Sequence, residues 1–171
     1  MSDKKIPITR VNKFFGSEDF RLQERMGMEW LHGWLNFTLV LYSVDRQKTN
    51  VDDVYGEASP DEIRYFPPVE FKALVQIAEP ANSSYASGLA RYNEPGNLRV
   101  SVYKKHLEEL SIDIRYGDYI GYAESEDKVN YYTVANDGKV TSDNTHTILG
   151  YKSFYRTLVC VPTQPNEFKG I

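Results

Sequence analysis

The sequence predicts a mainly β fold, a seven- to eight-stranded barrel or sandwich with one N-terminal helix and long loops. Three observations predict this class. Apolar and polar residues alternate with a period of two over residues 35–44 and 69–77, as in strands with one buried face. Short runs rich in β-branched and aromatic residues recur between turn residues. The 13 tyrosines suit both half-buried strand positions and contact surfaces.

The length of 171 residues suits one domain, which would bury roughly 70 % of the surface that its unfolded form exposes. We predict an N-terminal arm at 1–16, a single β-rich domain at 17–161 and an extended C-terminal tail at 162–171. The arm has mixed charge and no clear period. We therefore expect it to be ordered by a neighbouring molecule or not at all.

A helix is predicted over residues 18–32. Ser17 suits the N-cap position, and Glu18 and Asp19 fall in the first turn, where the helix dipole favours acids. The apolar residues form two stripes, one of Phe20, Gly27, Leu31 and Trp34 and the other of Leu22, Met26 and Trp30. Two interpretations stay open: the helix packs across the sheet, or its second stripe meets another subunit.

The strand at 35–44 should place Leu35, Phe37, Leu39 and Leu41 on one face. The strand at 69–77 follows two prolines, which cost no ladder hydrogen bond at a strand start. Two polar loops, 45–61 and 79–97, separate these strands from one that restarts at residue 98. Residues 104–110 then form one or two helical turns.

A β-meander is predicted over residues 111–134. Gly117 and Asp118 form a turn, and two strands follow, joined by an acidic turn at 124–128. An Asn-Asp-Gly turn at 136–138 comes next. Two last strands, near 146–151 and 153–161, precede the tail.

Composition excludes several classes of function. Twenty basic against 24 acidic residues give a net charge of −4, which argues against a basic nucleic-acid-binding face. Cys160, the one cysteine, forms no internal disulfide and is interpreted as a small buried hydrophobe. Neither a secretory signal nor an apolar stretch long enough to span a bilayer is recognisable. We expect a soluble protein made in a reducing compartment.

Catalytic templates fail on residue type and spacing. The glycines form no phosphate-binding loop. His32, His106 and His146 are far apart in sequence and lack metal-ligand spacing. The carboxylate clusters lie in predicted loops and lack the order of a calcium site. We predict no enzyme, no cofactor and no metal, and a protein whose arm and loops become ordered in an assembly.

The order of motifs over residues 54–134 resembles the neck proteins of contractile-tailed bacteriophages. The likeness lies in the YGE…PPVE approach to a strand, the Gly-Asp turn and the Tyr-Tyr return strand. The residues that carry it are Pro67, Pro68, Val69, Glu70, Gly117, Asp118, Tyr131 and Tyr132.

The resemblance implies a virion structural protein, assembled in the host cytoplasm, that forms a homo-oligomeric head-to-tail connector ring of six or twelve copies. Its implied partners are portal or adaptor proteins and tail-terminator or collar proteins. DNA would pass through the ring without specific binding, and no membrane is involved. Glu124, Glu126 and Asp127 are candidates for charge facing the lumen, with a solvated turn as the other interpretation. The alternative function is a monomeric binding module for carbohydrate or peptide.

Overall fold

The structure, a computed structural model, describes residues 17–33, 37–49, 62–78, 81–85, 90–94, 96–126, 128–139, 153–164, 166–168 and 170. These residues form two helices, α1 (Ser17–Gly33) and α2 (Lys104–Leu110). They also form nine strands: β1 (Thr38–Tyr42), β2 (Val69–Lys72), β3 (Leu74–Ile77), β4 (Ala81–Tyr85), β5 (Ala90–Glu94), β6 (Leu98–Tyr103), β7 (Tyr119–Ser125), β8 (Lys128–Asn136) and β9 (Tyr155–Pro162). The predicted mainly β class with an N-terminal helix is confirmed.

Seven of the strands form one antiparallel sheet in the order β2-β1-β7-β8-β9-β6-β3. The predicted meander is its centre, with β7 pairing β8 from Tyr119 opposite Thr133. The remaining two strands, β4 and β5, form a separate hairpin inside the stretch at 79–97 that was expected to be a loop. That expectation was wrong because polar composition alone does not distinguish a loop from a hairpin.

The two edge strands of the sheet, β2 and β3, are consecutive in the chain and are separated only by Ala73. In a flat sheet of seven strands the edges would lie about 29 Å apart. Here the Cα atoms that flank Ala73 lie at most about 7.6 Å apart, since only two peptide units join them. The sheet must therefore curl until its edges meet.

No ladder joins β2 to β3, so hydrogen bonds do not close the sheet, and a sandwich describes it better than a barrel. The predicted single strand at 69–77 is in fact two strands that serve opposite edges. β2 pairs with β1, and the Ala73 N–H extends this pairing by donating a hydrogen bond to the Phe37 carbonyl at 3.4 Å. β3 pairs with β6. The alternation in sequence runs unbroken through this bend, so periodicity did not reveal it.

The core fills the inside of the curled sheet. Leu39 lies opposite Phe71 in the ladder between β1 and β2, and both side chains are buried, as the alternation predicted. Phe37, predicted to share that face, is instead exposed. The other buried members of this core are Leu41, Ala73, Leu98, Val100, Val102, Leu107, Ile114, Ile120, Tyr132, Val134, Leu158 and Cys160.

The α2 helix follows β6 directly and turns its buried side, His106 and Leu107, toward the sheet. It ends at Ser111, which adopts a left-handed conformation with φ of 55° and donates its N–H to the Glu108 carbonyl. The predicted helical turns at 104–110 are confirmed.

Asp118, in the predicted Gly-Asp turn, joins three parts of the fold. Its buried carboxylate accepts the Val44 N–H at 3.0 Å after β1 and the Arg115 N–H at 2.8 Å within the turn. Its carbonyl accepts the Val134 N–H at 2.8 Å from β8. The turn requires Gly117 at a φ of +82°. Burial raises the pKa of the Asp118 carboxyl, and the two N–H donors oppose that change by favouring the carboxylate.

We expect Asp118→Asn to lower the free energy of unfolding by about 1–3 kcal/mol, because an amide offers one oxygen and leaves one backbone N–H without an acceptor. Urea denaturation followed by circular dichroism measures this difference. Glu126→Gln, which also removes one carboxylate but at an exposed site, should stay within about 0.5 kcal/mol of the parent. Equal effects of the two substitutions would contradict the structural role of Asp118.

Candidate functional site

The α1 helix packs on the body of the protein through one side only. Phe20, Met28 and Leu31 are its buried residues. Met28 and Leu31 form a small cluster with Tyr103 at the end of β6. Gly27 permits the close approach, since a Cβ there would lie 2.7 Å from Tyr103 Cε1. Any side chain at position 27 would push the helix away from the sheet.

The opposite side of α1 carries a second apolar row, Leu22, Met26 and Trp30, which we call the α1 outer face. These side chains are 46 %, 56 % and 53 % exposed. At 100° per residue, Met28 lies about 160° from Met26 around the helix, so the buried and exposed apolar rows face in opposite directions. The structure places the second predicted stripe in the open, as expected of a helix that still has a surface to cover.

A groove of about 520 Å³ runs beside the α1 outer face. Aromatic, methionine and polar side chains line it: Gln23, Met26, Gly27, Glu29, Trp30, Tyr103 and Phe154. Arg25 and Glu29 form an exposed ion pair at 3.9 Å on its rim, which contributes little to stability. The outer face and the groove together form an apolar recess with a charged border. Such a surface suits an apolar segment of another polypeptide.

His32 and His106 lie together, contrary to the expectation from their spacing in sequence. Their ring centroids are 5.4 Å apart, and ligand atoms of both and of Glu109 lie within 4.8 Å of one another. His106 is buried, and its Nε2 accepts the Lys72 backbone N–H at 3.0 Å. In a neutral ring the proton is then on Nδ1. Neither nitrogen of His106 has a lone pair available, so this arrangement does not suit a metal ion.

His106 is nevertheless an ionisable group in a sensitive place. Burial lowers its pKa from the ordinary value of 6.5, and the positive charges of His32 and Lys72 lower it further, against the opposing effect of Glu109. No described residue forms a hydrogen bond with its Nδ1. Protonation would add charge at a buried position where α1, α2 and β2 meet.

The tyrosines cluster on another part of the sheet, around Phe168 from the predicted tail. Phe168 is buried and stacks on Tyr119 with ring centroids 4.6 Å apart. It also contacts Tyr42, Tyr65 and Tyr131, at 5.0–5.2 Å. Tyr119 Oη donates to Glu167 at 3.0 Å, and burial with this carboxylate raises the pKa of the Tyr119 hydroxyl. This part of the tail is therefore folded back onto its own domain.

The residues of the resemblance motif divide between four places. Pro67, Val69 and Asp118 line one cavity of about 490 Å³, and Gly117 adjoins it. Pro68, before β2, and Glu70, within β2, are exposed. Tyr131 belongs to the cluster around Phe168, and Tyr132 is in the core. The motif therefore marks structural junctions, with no convergence on one set of reactive groups.

The predicted acidic turn joins β7 to β8. Glu124 accepts hydrogen bonds from Lys128 at 2.5 Å and from Asn130 at 2.9 Å, and these hold the pKa of its carboxyl below the ordinary value. Glu126 is exposed, and Asp127 lies outside the described residues. The neighbouring lysine offsets part of the negative charge of this turn. The geometry of the described residues is that of a solvated turn.

Cys160 is buried as predicted, and burial raises the pKa of its thiol to about 12. A thiol with this pKa is not a nucleophile at neutral pH. Cys160 lies in β9, and its side chain is part of the core.

Comparison with known protein families and with curated proteins finds no match to this chain. Neither helix in the part of the chain that the structure describes combines the length and the apolarity needed to cross a membrane.

We expect His106→Gln to flatten the pH dependence of stability below pH 6.5. With a lowered pKa in the folded state, the unfolded chain binds the proton first, so acidification through this window destabilises the fold. Glutamine can still accept the Lys72 N–H. The slope of the free energy of unfolding against pH should change by no more than about 1.4 kcal/mol per pH unit, the limit for the uptake of one proton. Urea unfolding at pH 7.5 and 5.5 measures it.

His32→Gln provides the matched comparison, since it removes only the neighbouring charge. This substitution should reduce the pH dependence of stability, but less than His106→Gln does. Parallel curves for His106→Gln and the parent would exclude a contribution from this buried imidazole.

Proposed function

We propose that this protein is a virion structural protein, a subunit of the homo-oligomeric ring that forms the neck of a contractile-tailed bacteriophage. The observation that carries the proposal is the α1 outer face, a row of three large apolar side chains about half exposed on a helix that is already packed through its other side. The resemblance over residues 54–134 supplies the kind of assembly. Six or twelve copies would surround the DNA path.

Energetics favour an assembly over a free monomer. Removing apolar surface from water stabilises a contact by about 25 cal/mol per Å². A stable interface buries about 800 Å² on each partner, more than three side chains offer. The groove of about 520 Å³ next to the α1 outer face supplies additional apolar surface. Contacts of this kind, repeated head to tail, generate a closed ring when the rotation from one copy to the next closes on itself.

The other roles in this proposal follow from charge and from the resemblance. A net charge of −4 would repel DNA, which lets it pass without specific binding. Glu126 is exposed on the turn between β7 and β8 and would contribute to such repulsion if the turn faced the lumen. Portal or adaptor proteins on one side, and tail-terminator or collar proteins on the other, would complete the neck. No catalytic step and no cofactor is part of the proposal.

The second candidate function is a monomeric module that binds a peptide or a carbohydrate. The observation in its favour is the group of four tyrosines around Phe168, which has the aromatic character of a ligand platform. Phe168 already occupies this platform, however, and a ligand would have to displace it. We therefore place this function behind the ring.

The first test is assembly itself. We expect the purified chain to form particles of six or twelve times the chain mass by light scattering, and rings in negative-stain images. The double substitution Met26→Glu, Trp30→Glu should reduce the assembled fraction at least tenfold, since it places charge in the contact. The free energy of unfolding should fall by about 1–3 kcal/mol, because about half of each side chain is buried beside the groove, and circular dichroism checks that the chain still folds.

Tyr116→Glu is the matched control. It also places a glutamate at an exposed apolar position, 68 % exposed and in the Gly-Asp turn, and should leave assembly unchanged. Assembly that survives the α1 double substitution would remove the α1 outer face from the proposal.

Phe168→Ala tests the second candidate. Loss of this buried ring should lower the free energy of unfolding by about 3 kcal/mol. A glycan or peptide array probed with this variant and with the parent should give no signal that is specific to the opened tyrosine cluster. Selective ligand capture by the variant, together with a monomeric parent, would favour the binding module over the ring.

A further inference from the structure

The α1 outer face and its groove require an occupant, and the charges around them indicate its chemistry. The helix, residues 17–33, carries four acidic and two basic residues, a net charge of −2. Glu18, Asp19 and Glu29 are exposed on it. An occupant that combines basic residues with apolar side chains would complement both the border and the floor of this recess.

One segment of the chain itself has this composition. Residues 1–16, which lie outside the described residues, carry four basic residues and one acid, a net charge of +3. The segment also contains five large apolar residues, namely Ile6, Ile8, Val11, Phe14 and Phe15. Its charge is opposite to that of α1, and its apolar side chains match a groove lined by methionine and aromatic residues.

Length allows this segment to reach a neighbouring copy. Sixteen extended residues span at most about 53–58 Å. The groove is centred near Gly27, about 15 Å along the helix from Ser17, where the segment joins α1. If the segment bound in the groove of its own chain, each molecule would cover its own apolar surface and would need no neighbour. Seating in a neighbour makes every copy both donor and acceptor, which is the heterologous contact that closes a ring.

We propose that residues 1–16 of one copy bind across the α1 outer face and groove of the next copy. The choice of the neighbour over the chain's own helix rests on the proposed ring function. The segment would bring its isoleucines and phenylalanines against Met26 and Trp30, and its lysines and arginine toward the acids of α1. A higher salt concentration would weaken this contact because it screens the attraction between the opposite charges.

Disulfide trapping in the full chain tests the proposal. One variant carries Ile8→Cys with an affinity tag, and a second, untagged variant carries Met26→Cys. The native Cys160 is buried, so it gives no background reaction. Mixed in equal amounts before assembly and mildly oxidised, the two variants should form a covalent heterodimer. At most about half of the chains can take part, because only an Ile8→Cys segment that meets a Met26→Cys neighbour can react. Ile8→Cys mixed with Glu126→Cys, whose site lies on the exposed β7–β8 turn, should give none.

A single chain with both Ile8→Cys and Met26→Cys separates the two seatings. The proposal predicts covalent oligomers of this variant that reduce to the monomer. A faster-migrating monomer with an internal disulfide would overturn it, because the segment would then occupy its own helix.

Light scattering on the same samples separates this contact from the ring itself. Rings that form without cross-links would overturn the contact and leave the proposed function standing. Cross-linked heterodimers without closed rings would support the contact and count against the ring.

Discussion

One covalent constraint shapes this fold: a single segment supplies both edges of a seven-stranded sheet. Because only Ala73 separates β2 from β3, the sheet has to curl until its first and last strands meet. The curl encloses an apolar interior. It also brings the two edge strands, β2 and β3, together where the chain itself joins them. Asp118 stabilises the same arrangement from the other end of β1, where its carboxylate holds the Val44 and Arg115 amides.

The curled sheet fills its own core, and this explains the position of α1. The helix lies against the end of β6 through Met28, Leu31 and Tyr103, outside the main core. Within the part of the chain that the structure describes, only one side of the helix is buried. Leu22, Met26 and Trp30 therefore stay exposed, and we propose that a second molecule covers them. The fold supports the proposed function because one side of α1 packs on the domain and its other, apolar side is exposed.

Periodicity predicted much of this arrangement. The two apolar stripes of α1, the strand after Pro67 and Pro68, and the β7–β8 meander could each be derived from local sequence. The bend at Ala73 could not, because alternation of side chains continues unchanged through it. The pairing of His32 with His106 and the docking of Phe168 depend on contacts between residues distant in sequence, which no local pattern encodes. The second apolar stripe of α1 needed only the helical repeat, whereas the side of the helix that packs on the domain could not be derived from it.

The most direct test of the account is an electron cryomicroscopy reconstruction of the purified, assembled protein. The account predicts a closed ring in which the α1 outer face of every copy is covered by polypeptide from the adjacent copy. A ring whose contacts lie elsewhere, with Leu22, Met26 and Trp30 of each subunit in solvent, would contradict it.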